Sequence, residues 1–471
     1  MANILFGKPR FVVPKDDDKE RNDVTIGVFF DGTSNNRENI EGRRKDPTLK
    51  SSSISDTDGS NTSFGNDNTN VDKLEKAYPY KPSDHYYSVY VEGIGTKKPK
   101  EKKDGSLSYY GDFSRGQAYG KGETGLYEKV EKGCFDIVYK LQEENEKNIS
   151  TLYIDVFGFS RGAAAARIFV NELYKIKNPK NNDTYNLGYL GKAFKELDYK
   201  VKPYRIKIRF LGLYDTVSSY GGGVFDDITV DKVPLHIPTV GYTVHLTAED
   251  EHRKKFPLTD IASAGSNSKE LSLPGVHSDI GGGYKDMTKD KADKGEIVIL
   301  TETSSTIQAE KKRALEHGWY KEFQLEEHSR YLKGTRKNLS NEYSLVILHL
   351  MAEFGKRKYK IPWEYKKTLN KEYEVPSALN DVKKRLDEYA FEGKPKMIFF
   401  TKKELEEKKK RLGNNKTEID KFNSQDEDHT MLMKLRNKYL HNSASMDGVG
   451  MEPNKKYNLI DIDWNRKIIP G

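Results

Sequence analysis

Residues 152–168 read LYIDVFGFSRGAAAARI, and the fold can be predicted outward from this stretch. Its first half is an apolar run typical of a buried strand, and its second half is an alanine-rich helix former. Between them lies Gly158-Phe159-Ser160-Arg161-Gly162, a nucleophile elbow in which a strained turn lifts a serine hydroxyl out of the sheet. The glycines permit the sharp turn, and the next helix begins with unpaired N–H groups. The stretch therefore predicts an α/β fold with Ser160 as a nucleophile in acyl transfer.

The same tetrapeptide recurs as Phe113-Ser114-Arg115-Gly116. Asp112 stands where the first glycine of the elbow would be, and the flanks are polar and glycine-rich rather than a strand and a helix. We therefore interpret Ser114 as a loop residue. For Ser160, an ordinary strand-to-helix turn is the alternative interpretation.

Two later strand ends supply an acid and a base. An alternating run over residues 205–214 ends at Asp215, and a second run ends at His277, just before a triple glycine. In α/β-hydrolases the triad follows the chain order Ser, Asp or Glu, His. The carboxyl ends of parallel strands meet at one crevice. Ser160, Asp215 and His277 are therefore the predicted catalytic triad.

Other residues compete for the roles of acid and base. Asp279 is an alternative acid, or a partner that supports the loop of His277. His441 follows both other triad members in chain order and is an alternative base, although a lone histidine is more often structural. Residues 249–251 are acidic and look like a solvated face between His245 and His252.

The loop after the first predicted strand is the candidate for the second half of an oxyanion hole. That strand covers residues 24–30 and ends in Asp31-Gly32-Thr33. In this architecture one oxyanion donor is the N–H that follows the nucleophile, here Arg161, and the other comes from an early loop. The backbone of Gly32 and Thr33 is therefore the predicted second donor, with Asp31 in support. A plain Asp-Gly turn is the alternative.

Five motifs occur in a recognisable order. They are FFDGT at 29–33, GIGT at 93–96, GFSRGA at 158–163, YDTV at 214–217 and GVHSDIGGGY at 275–284. This set resembles that of an α/β-hydrolase family that includes the first class of bacterial type VI secretion lipase effectors. Residues 343–351 and 439–443 are similar to its downstream helical markers. The resemblance covers the chain from about Asp23 to the region of Ser443.

The resemblance implies a phospholipase that is delivered into rival bacteria, with Ser160, Asp215 and His277 at the family's triad positions. The implied substrate is a membrane phospholipid, and the implied partners are an immunity protein and a component of the secretion spike or tube. The triad needs no cofactor. A serine esterase or amidase acting on a non-lipid substrate is the first alternative, and a non-catalytic interaction protein on the hydrolase scaffold is the second.

Changes in composition along the chain predict three regions. Residues 1–22 form a charged arm, and residues 23–290 form an α/β-hydrolase-like core with a mostly parallel sheet. A polar insertion at about 36–83 is expected to be a surface excursion. Residues 291–471 are expected to form a mainly helical cap or subdomain packed on the core.

Composition limits the classes of protein. The 80 basic and 72 acidic residues leave a net charge of +8, which favours anionic headgroups, but no recognised module indicates nucleic-acid binding. No apolar run approaches the roughly 20 residues of a membrane helix. A single cysteine, Cys134, excludes an internal disulfide and a cysteine-based zinc site, and no metal site is predicted. The N-terminus lacks the features of a signal peptide. We therefore expect synthesis in the cytoplasm and export by a specialised system into the periplasm of a target cell.

Overall fold

The structure, a computed structural model, describes residues 22–49, 62–113, 122–174, 188–200, 203, 205–218, 235–289, 293–447, 451–457 and 462–471. The charged arm predicted at 1–22 lies outside these residues except for Asn22, and so does Ser114.

The strands and helices of these residues follow in chain order. The strands are β1 Asn22–Phe30, β2 Tyr86–Val91, β3 Lys100–Glu101, β4 Leu107–Ser108, β5 Ile149–Phe159, β6 Arg205–Tyr214, β7 Tyr242–Ala248, β8 Leu258–Thr259, β9 Ser268–Leu273, β10 Glu296–Thr301, β11 Leu325–Glu327, β12 Leu332–Arg336, β13 Lys455–Tyr457, β14 Ile462–Trp464 and β15 Ile468–Ile469. The α-helices are Arg37–Lys45, Asn70–Ala77, Leu126–Glu143, Arg161–Tyr174, Gly188–Glu196, His277–Gly281, Ile307–Glu316, Tyr343–Tyr359, Asn380–Phe391, Lys402–Arg411 and Lys416–Lys438.

A six-stranded sheet forms the centre, in the order β2-β1-β5-β6-β7-β9. Every neighbouring pair in it is parallel. Parallel strands are covered on both faces, which is why β1 and β5 read as nearly continuous apolar runs. Their buried patterns agree with this. The predicted α/β fold with a mostly parallel sheet is confirmed.

Two helical layers cover the sheet. Helices Leu126–Glu143, Arg161–Tyr174 and Gly188–Glu196 pack on one face, around residues such as Val28 and Val156. Helices Asn70–Ala77 and Tyr343–Tyr359 pack on the other face, where Phe29 and Phe157 stack with their ring centroids 4.8 Å apart. The sheet is therefore enclosed between the two layers, and its carboxyl edge carries the loops that hold the predicted site.

The polar segment at about 36–83 departs from the expectation of a surface excursion. In helix Asn70–Ala77, Val71, Leu74 and Ala77 are fully buried. The polar residues beside them are buried as well, because they are hydrogen-bonded: Asn70 Nδ2 donates to the carbonyl oxygens of Ile280 and Ser344, at 2.9 Å each. Polarity indicated a solvated loop, but for residues 62–77 satisfied hydrogen bonds allow burial.

The C-terminal half is also more than a cap. Helix Tyr343–Tyr359 belongs to the layer that covers the sheet, and β10, β12 and β11 form a small antiparallel sheet of their own. Near the chain end, β15 pairs in parallel with β8 and brings the last residues back beside the central sheet. None of the helices in the described ranges has the length and apolar character that a membrane crossing requires.

Candidate active site

Ser160 lies in a strained turn between β5 and helix Arg161–Tyr174. Its φ of +58° is in the left-handed region that non-glycine residues rarely adopt. A Cβ at Gly158 would come within 2.5 Å of the Gly162 carbonyl oxygen, and a Cβ at Gly162 within 2.3 Å of the Asp31 carbonyl oxygen. Both positions therefore require glycine because the backbones approach so closely, as the elbow predicted.

The backbone of Ser160 forms hydrogen bonds with the residue before Asp215 and with the second residue after it. Its N–H donates to the Tyr214 carbonyl at 3.0 Å, and its carbonyl accepts from the N–H of Val217 at 3.3 Å. The serine is 6% exposed. The elbow and the end of β6 are thus held side by side.

Asp215 and His277 form a buried hydrogen-bonded pair. The Asp215 Oδ2 lies 2.5 Å from His277 Nδ1, and Asp215 Oδ1 accepts from the N–H of Ala248 at 2.9 Å. The imidazole lies against Phe159, the residue before the nucleophile, with ring centroids 4.6 Å apart. With Nδ1 facing the carboxylate, Nε2 is left as the nitrogen that can serve a nucleophile.

Arg466 clamps the same carboxylate from the end of the chain. Its Nη1 lies 2.6 Å from Asp215 Oδ1 and its Nη2 lies 2.8 Å from Oδ2, a bidentate pair. Burial alone would raise the pKa of Asp215, but the charge of Arg466 and the contact with His277 outweigh it and hold the pKa well below its usual range. Sequence reasoning missed Arg466, since nothing local links it to a residue 251 positions away.

The environment of His277 favours a neutral imidazole. Burial lowers its pKa from 6.5, and this effect is only partly opposed by the carboxylate of Asp215. A histidine that is neutral near pH 7 is able to accept a proton, as a general base must.

Glu251 corrects the prediction that residues 249–251 form a solvated face. Its carboxylate is fully buried, where Oε2 accepts from the backbone N–H of His277 at 3.3 Å and from the Ser443 hydroxyl at 3.0 Å. Burial would raise the pKa of Glu251, but Arg253, 2.8 Å away, lowers it to about 2. The ionised Glu251 therefore fixes the backbone that carries the predicted base.

Asp279 and His441 are paired with each other rather than with the predicted triad. Asp279 Oδ1 lies 2.7 Å from His441 Nδ1, and Asp279 Oδ2 accepts from the N–H groups of His441 and Val276, both at 3.0 Å. The His441 ring stacks on Tyr284 with centroids 3.9 Å apart. This geometry suits a pair that holds the loop leading into His277, and it does not favour either residue as the triad acid or base.

The early loop offers fewer oxyanion donors than the sequence predicted. The N–H of Gly32 donates to Asp31 Oδ1 at 2.7 Å and is therefore already used. Thr33 accepts a 2.8 Å hydrogen bond through Oγ1 from Nε of Arg161, so the loop and the elbow are in contact. The backbone N–H groups of Thr33 and Arg161 remain the predicted donors.

Asp31 supports this loop from below. It accepts from the hydroxyls of Thr69 at 2.7 Å and Tyr90 at 2.6 Å, and burial raises its pKa to about 6.

Across the described residues, no three His, Cys, Asp or Glu side chains are grouped so that they could hold a metal ion.

A comparison with protein families gives a match in this part of the chain. Residues 171–305 match the model for the type VI secretion phospholipase effector Tle1-like catalytic domain. The matched segment contains Asp215 and His277, and Ser160 precedes it. The predicted resemblance to type VI secretion lipase effectors is confirmed.

One solved structure supports the fold over nearly the whole chain. The structure of the Tle1 effector bound to the VgrG spike matches with a TM-score of 0.58 and 22% identity, over 95% of this chain and 90% of that one. An uncharacterized protein from Pseudomonas aeruginosa matches at 17% identity and a TM-score of 0.40, over 89% of this chain and 64% of that one. A comparison with curated proteins gives no match.

Proposed function

We propose that this protein is a type VI secretion phospholipase effector that cleaves the carboxylic ester bonds of membrane phospholipids, as a phospholipase A does. The observation that carries the proposal is the buried pair of Asp215 and His277 next to the strained elbow of Ser160. The match of residues 171–305 to a phospholipase effector domain supports the substrate class.

In the proposed reaction, Ser160 Oγ attacks the ester carbonyl carbon while His277 Nε2 takes the hydroxyl proton. The negative charge that develops on the carbonyl oxygen faces the N–H groups of Arg161 and Thr33. The bond between the carbonyl carbon and the alcohol oxygen then breaks. His277 gives its proton to that alcohol oxygen, and a lysophospholipid leaves. Water then repeats the sequence on the acyl-enzyme and releases a fatty acid.

Asp215 stabilises the imidazolium that forms in each half of this cycle, and it stays ionised throughout. The partners of Asp215 suit that role, since Arg466, Ala248 and His277 together satisfy both of its oxygens. Glu251 and the pair Asp279–His441 hold the backbone around His277 without entering the reaction.

The decisive test is phospholipid hydrolysis by the wild type and by Ser160→Ala, with the products resolved by mass spectrometry. We expect Ser160→Ala to lose at least about a thousandfold of the rate, because removal of a triad member typically costs that much. Ser114→Ala is the matched control, since Ser114 lies in the other Phe-Ser-Arg-Gly, at 113–116, and it should keep near-wild-type activity. Equal losses in both variants, or full activity of Ser160→Ala, would disprove the assignment.

Two further assays, with small substrates and with a serine-reactive label, separate the alternatives. Turnover of small esters or amides with no turnover of phospholipid would indicate a different serine hydrolase. No labelling of Ser160 by a fluorophosphonate would indicate a non-catalytic protein on the hydrolase scaffold.

We further propose that the protein is carried on a secretion spike or tube, acts in the periplasm of a target bacterium and is neutralised in its producer by an immunity protein. The structural match to an effector bound to the VgrG spike supports the first part. The test is expression in a susceptible bacterium with and without an added export signal, each paired with Ser160→Ala. Toxicity should appear only in the exported wild type. Toxicity of the exported serine variant would contradict this proposal.

A further inference from the structure

A short basic hairpin projects near the candidate site. Its strands are β3 and β4, and its turn contains Gly105, where an added Cβ would meet no atom within 4 Å. Residues 97–110 contain five lysines against two acidic residues, Glu101 and Asp104. Leu107 and Tyr110 are 47% and 36% exposed in the same segment. The segment therefore combines positive charge with exposed apolar and aromatic side chains.

The base of the hairpin is fixed to the body of the protein. The Tyr109 ring packs on Phe64 with centroids 6.2 Å apart, and the hydroxyl of Ser63 donates to Asp112 at 2.5 Å. The N–H of Phe113 donates to the Gly95 carbonyl at 2.8 Å and closes the segment. Beyond this base, Lys98, Lys100 and residues 101–107 are exposed.

A chain of contacts places this hairpin at the sheet edge of the candidate site. Arg161, next to Ser160, donates to Thr33. Three residues later, Asn36 Nδ2 donates to the carbonyl of Lys97, the first residue of the hairpin, at 2.9 Å. The hairpin follows the carboxyl end of β2, so it leaves the sheet at the same edge as the nucleophile elbow.

A groove lies along the hairpin. It has a volume of about 490 Å³, and its lining is of mixed charge: Lys97, Lys98, Lys100, Lys129 and Lys132 lie there with Glu92, Glu123 and Glu128. Lys98 and Lys100 are exposed, whereas Lys132 is tied to Glu92 and Asp136. Lys97 is also paired, with Glu123 at 2.6 Å, so the exposed positive charge of the groove is carried by Lys98 and Lys100 of the hairpin.

We propose that hairpin 97–110 docks the protein on an anionic phospholipid bilayer, with its lysines on the headgroups and with Leu107 and Tyr110 in the interface. Lysines near an anionic membrane each add to the attraction, and aromatic side chains are favoured at the headgroup level. This proposal rests on the proposed function, because docking at this edge brings Ser160 to the bilayer that holds its substrate.

The experiment measures vesicle binding by protein that carries Ser160→Ala, so that no lipid is consumed. The vesicles are phosphatidylcholine with and without phosphatidylglycerol. The hairpin variant is Lys98→Glu, Lys100→Glu and Lys102→Glu. The control is Lys321→Glu, Lys337→Glu and Lys434→Glu, three exposed lysines beside a different groove that give the same change in net charge.

We expect the hairpin variant to bind phosphatidylglycerol vesicles at least about tenfold more weakly than its parent, given the contribution of each lysine near a charged membrane. The control should stay within about threefold of the parent. Leu107→Ser should weaken binding as well and should leave the salt dependence unchanged. Equal losses in the hairpin and control variants, or equal binding of the parent to vesicles with and without phosphatidylglycerol, would overturn the proposal.

A second measurement separates this proposal from the proposed function. With Ser160 intact, the hairpin variant should hydrolyse a short-chain phospholipid below its micelle concentration at the wild-type rate, because no surface is involved. If the wild type fails to cleave that monomer, the proposed function is wrong whatever the vesicles show. If the hairpin variant loses activity on the monomer as well, the hairpin is not a docking element.

Discussion

At the candidate site, one buried carboxylate is held by three partners. Asp215 accepts from the imidazole of His277, the N–H of Ala248 and the guanidinium of Arg466. Its own φ of +41° is strained, a feature shared with Ser160. Two strained residues persist side by side because the surrounding hydrogen bonds determine their positions.

The two histidines that competed for the role of base should now be separable. We expect His277→Ala to reduce kcat by at least about a thousandfold, as loss of a triad member does. His441→Asn should keep activity within about tenfold, because an amide can still donate to Asp279, and should reduce stability. Activity assays and urea unfolding of both variants test this. A larger loss of activity in His441→Asn than in His277→Ala would mean that His441, in the C-terminal segment, is the base.

We expect the carboxylates of Asp215 and Asp279 to differ in the same way, the first in catalysis and the second in support of the loop. Asp215→Asn should be more damaging than Asp279→Asn, since an amide at 215 cannot stabilise the imidazolium. Equal losses would mean that both carboxylates act through the position of the loop.

Asp31 provides a pH-dependent prediction at the residue scale. Burial raises its pKa from 3.8 to about 6, so between these values the folded state holds the proton more tightly than the unfolded state does. Its contribution to stability is therefore full below about pH 4 and is lost as the pH rises through about 6. Asp31→Asn removes this titration. The unfolding free energy of Asp31→Asn relative to wild type should rise by about 3 kcal/mol between about pH 4 and pH 7.

Denaturant unfolding at several pH values measures this difference. A difference that does not change with pH would show that the hydrogen bonds from Thr69 and Tyr90 keep Asp31 ionised in the folded protein.

At the scale of elements, the C-terminal segment completes a site that is built elsewhere in the chain. Arg466 lies just before β15. The N–H of Leu258 donates to the Lys467 carbonyl at 2.8 Å, and this hydrogen bond fixes the position of the backbone next to Arg466. A terminal element of only a few residues thus positions the predicted acid. Helix Asn70–Ala77 acts similarly on the other side, where Asn70 joins the short helix His277–Gly281 to helix Tyr343–Tyr359.

Arg466→Met should weaken both stability and catalysis. Removing one partner of a buried ion pair typically costs up to about 3–5 kcal/mol, because it leaves an uncompensated charge. Arg466→Lys should be intermediate, since an ammonium cannot form the bidentate contact. Urea unfolding and kcat measurements on the two variants test this. Wild-type values for Arg466→Met would show that His277 and Ala248 are sufficient to hold Asp215.

At the scale of the whole molecule, the hydrophobic core extends across the domain boundary predicted at residue 290. One buried cluster contains Phe29, Phe157 and Phe210 of the central sheet together with Val346 and Leu440 of the C-terminal half. The late helices are therefore one of the layers that the sheet needs, and their removal would expose a large apolar face.

A chain cut after residue 290 should therefore fail to fold. We expect residues 1–290 to be insoluble, or to lack the cooperative unfolding transition of the full chain. Circular dichroism during chemical unfolding measures this, with full-length Ser160→Ala as the folded control. A cooperative transition in the fragment would restore the predicted separation into a core and a cap.

The sequence by itself determined the parts of this protein whose cause is local. The elbow at Ser160 follows from a strand, two glycines and a helix within 17 residues, and strand ends identified Asp215 and His277 as candidates. The α/β class followed from the same runs, because a strand buried on both faces must be apolar throughout.

Only the tertiary structure decided which side chains support these residues. Arg466 and Glu251 reach the site through contacts between distant parts of the chain, and polarity gave no sign of them. The sequence named Asp279 as a possible support, but its pairing with His441 appears only in the structure. The segment at 62–77 and the face predicted at 249–251 were misjudged for the same reason. A polar residue is buried whenever the fold supplies its hydrogen bonds, and that supply depends on partners that sequence proximity does not reveal.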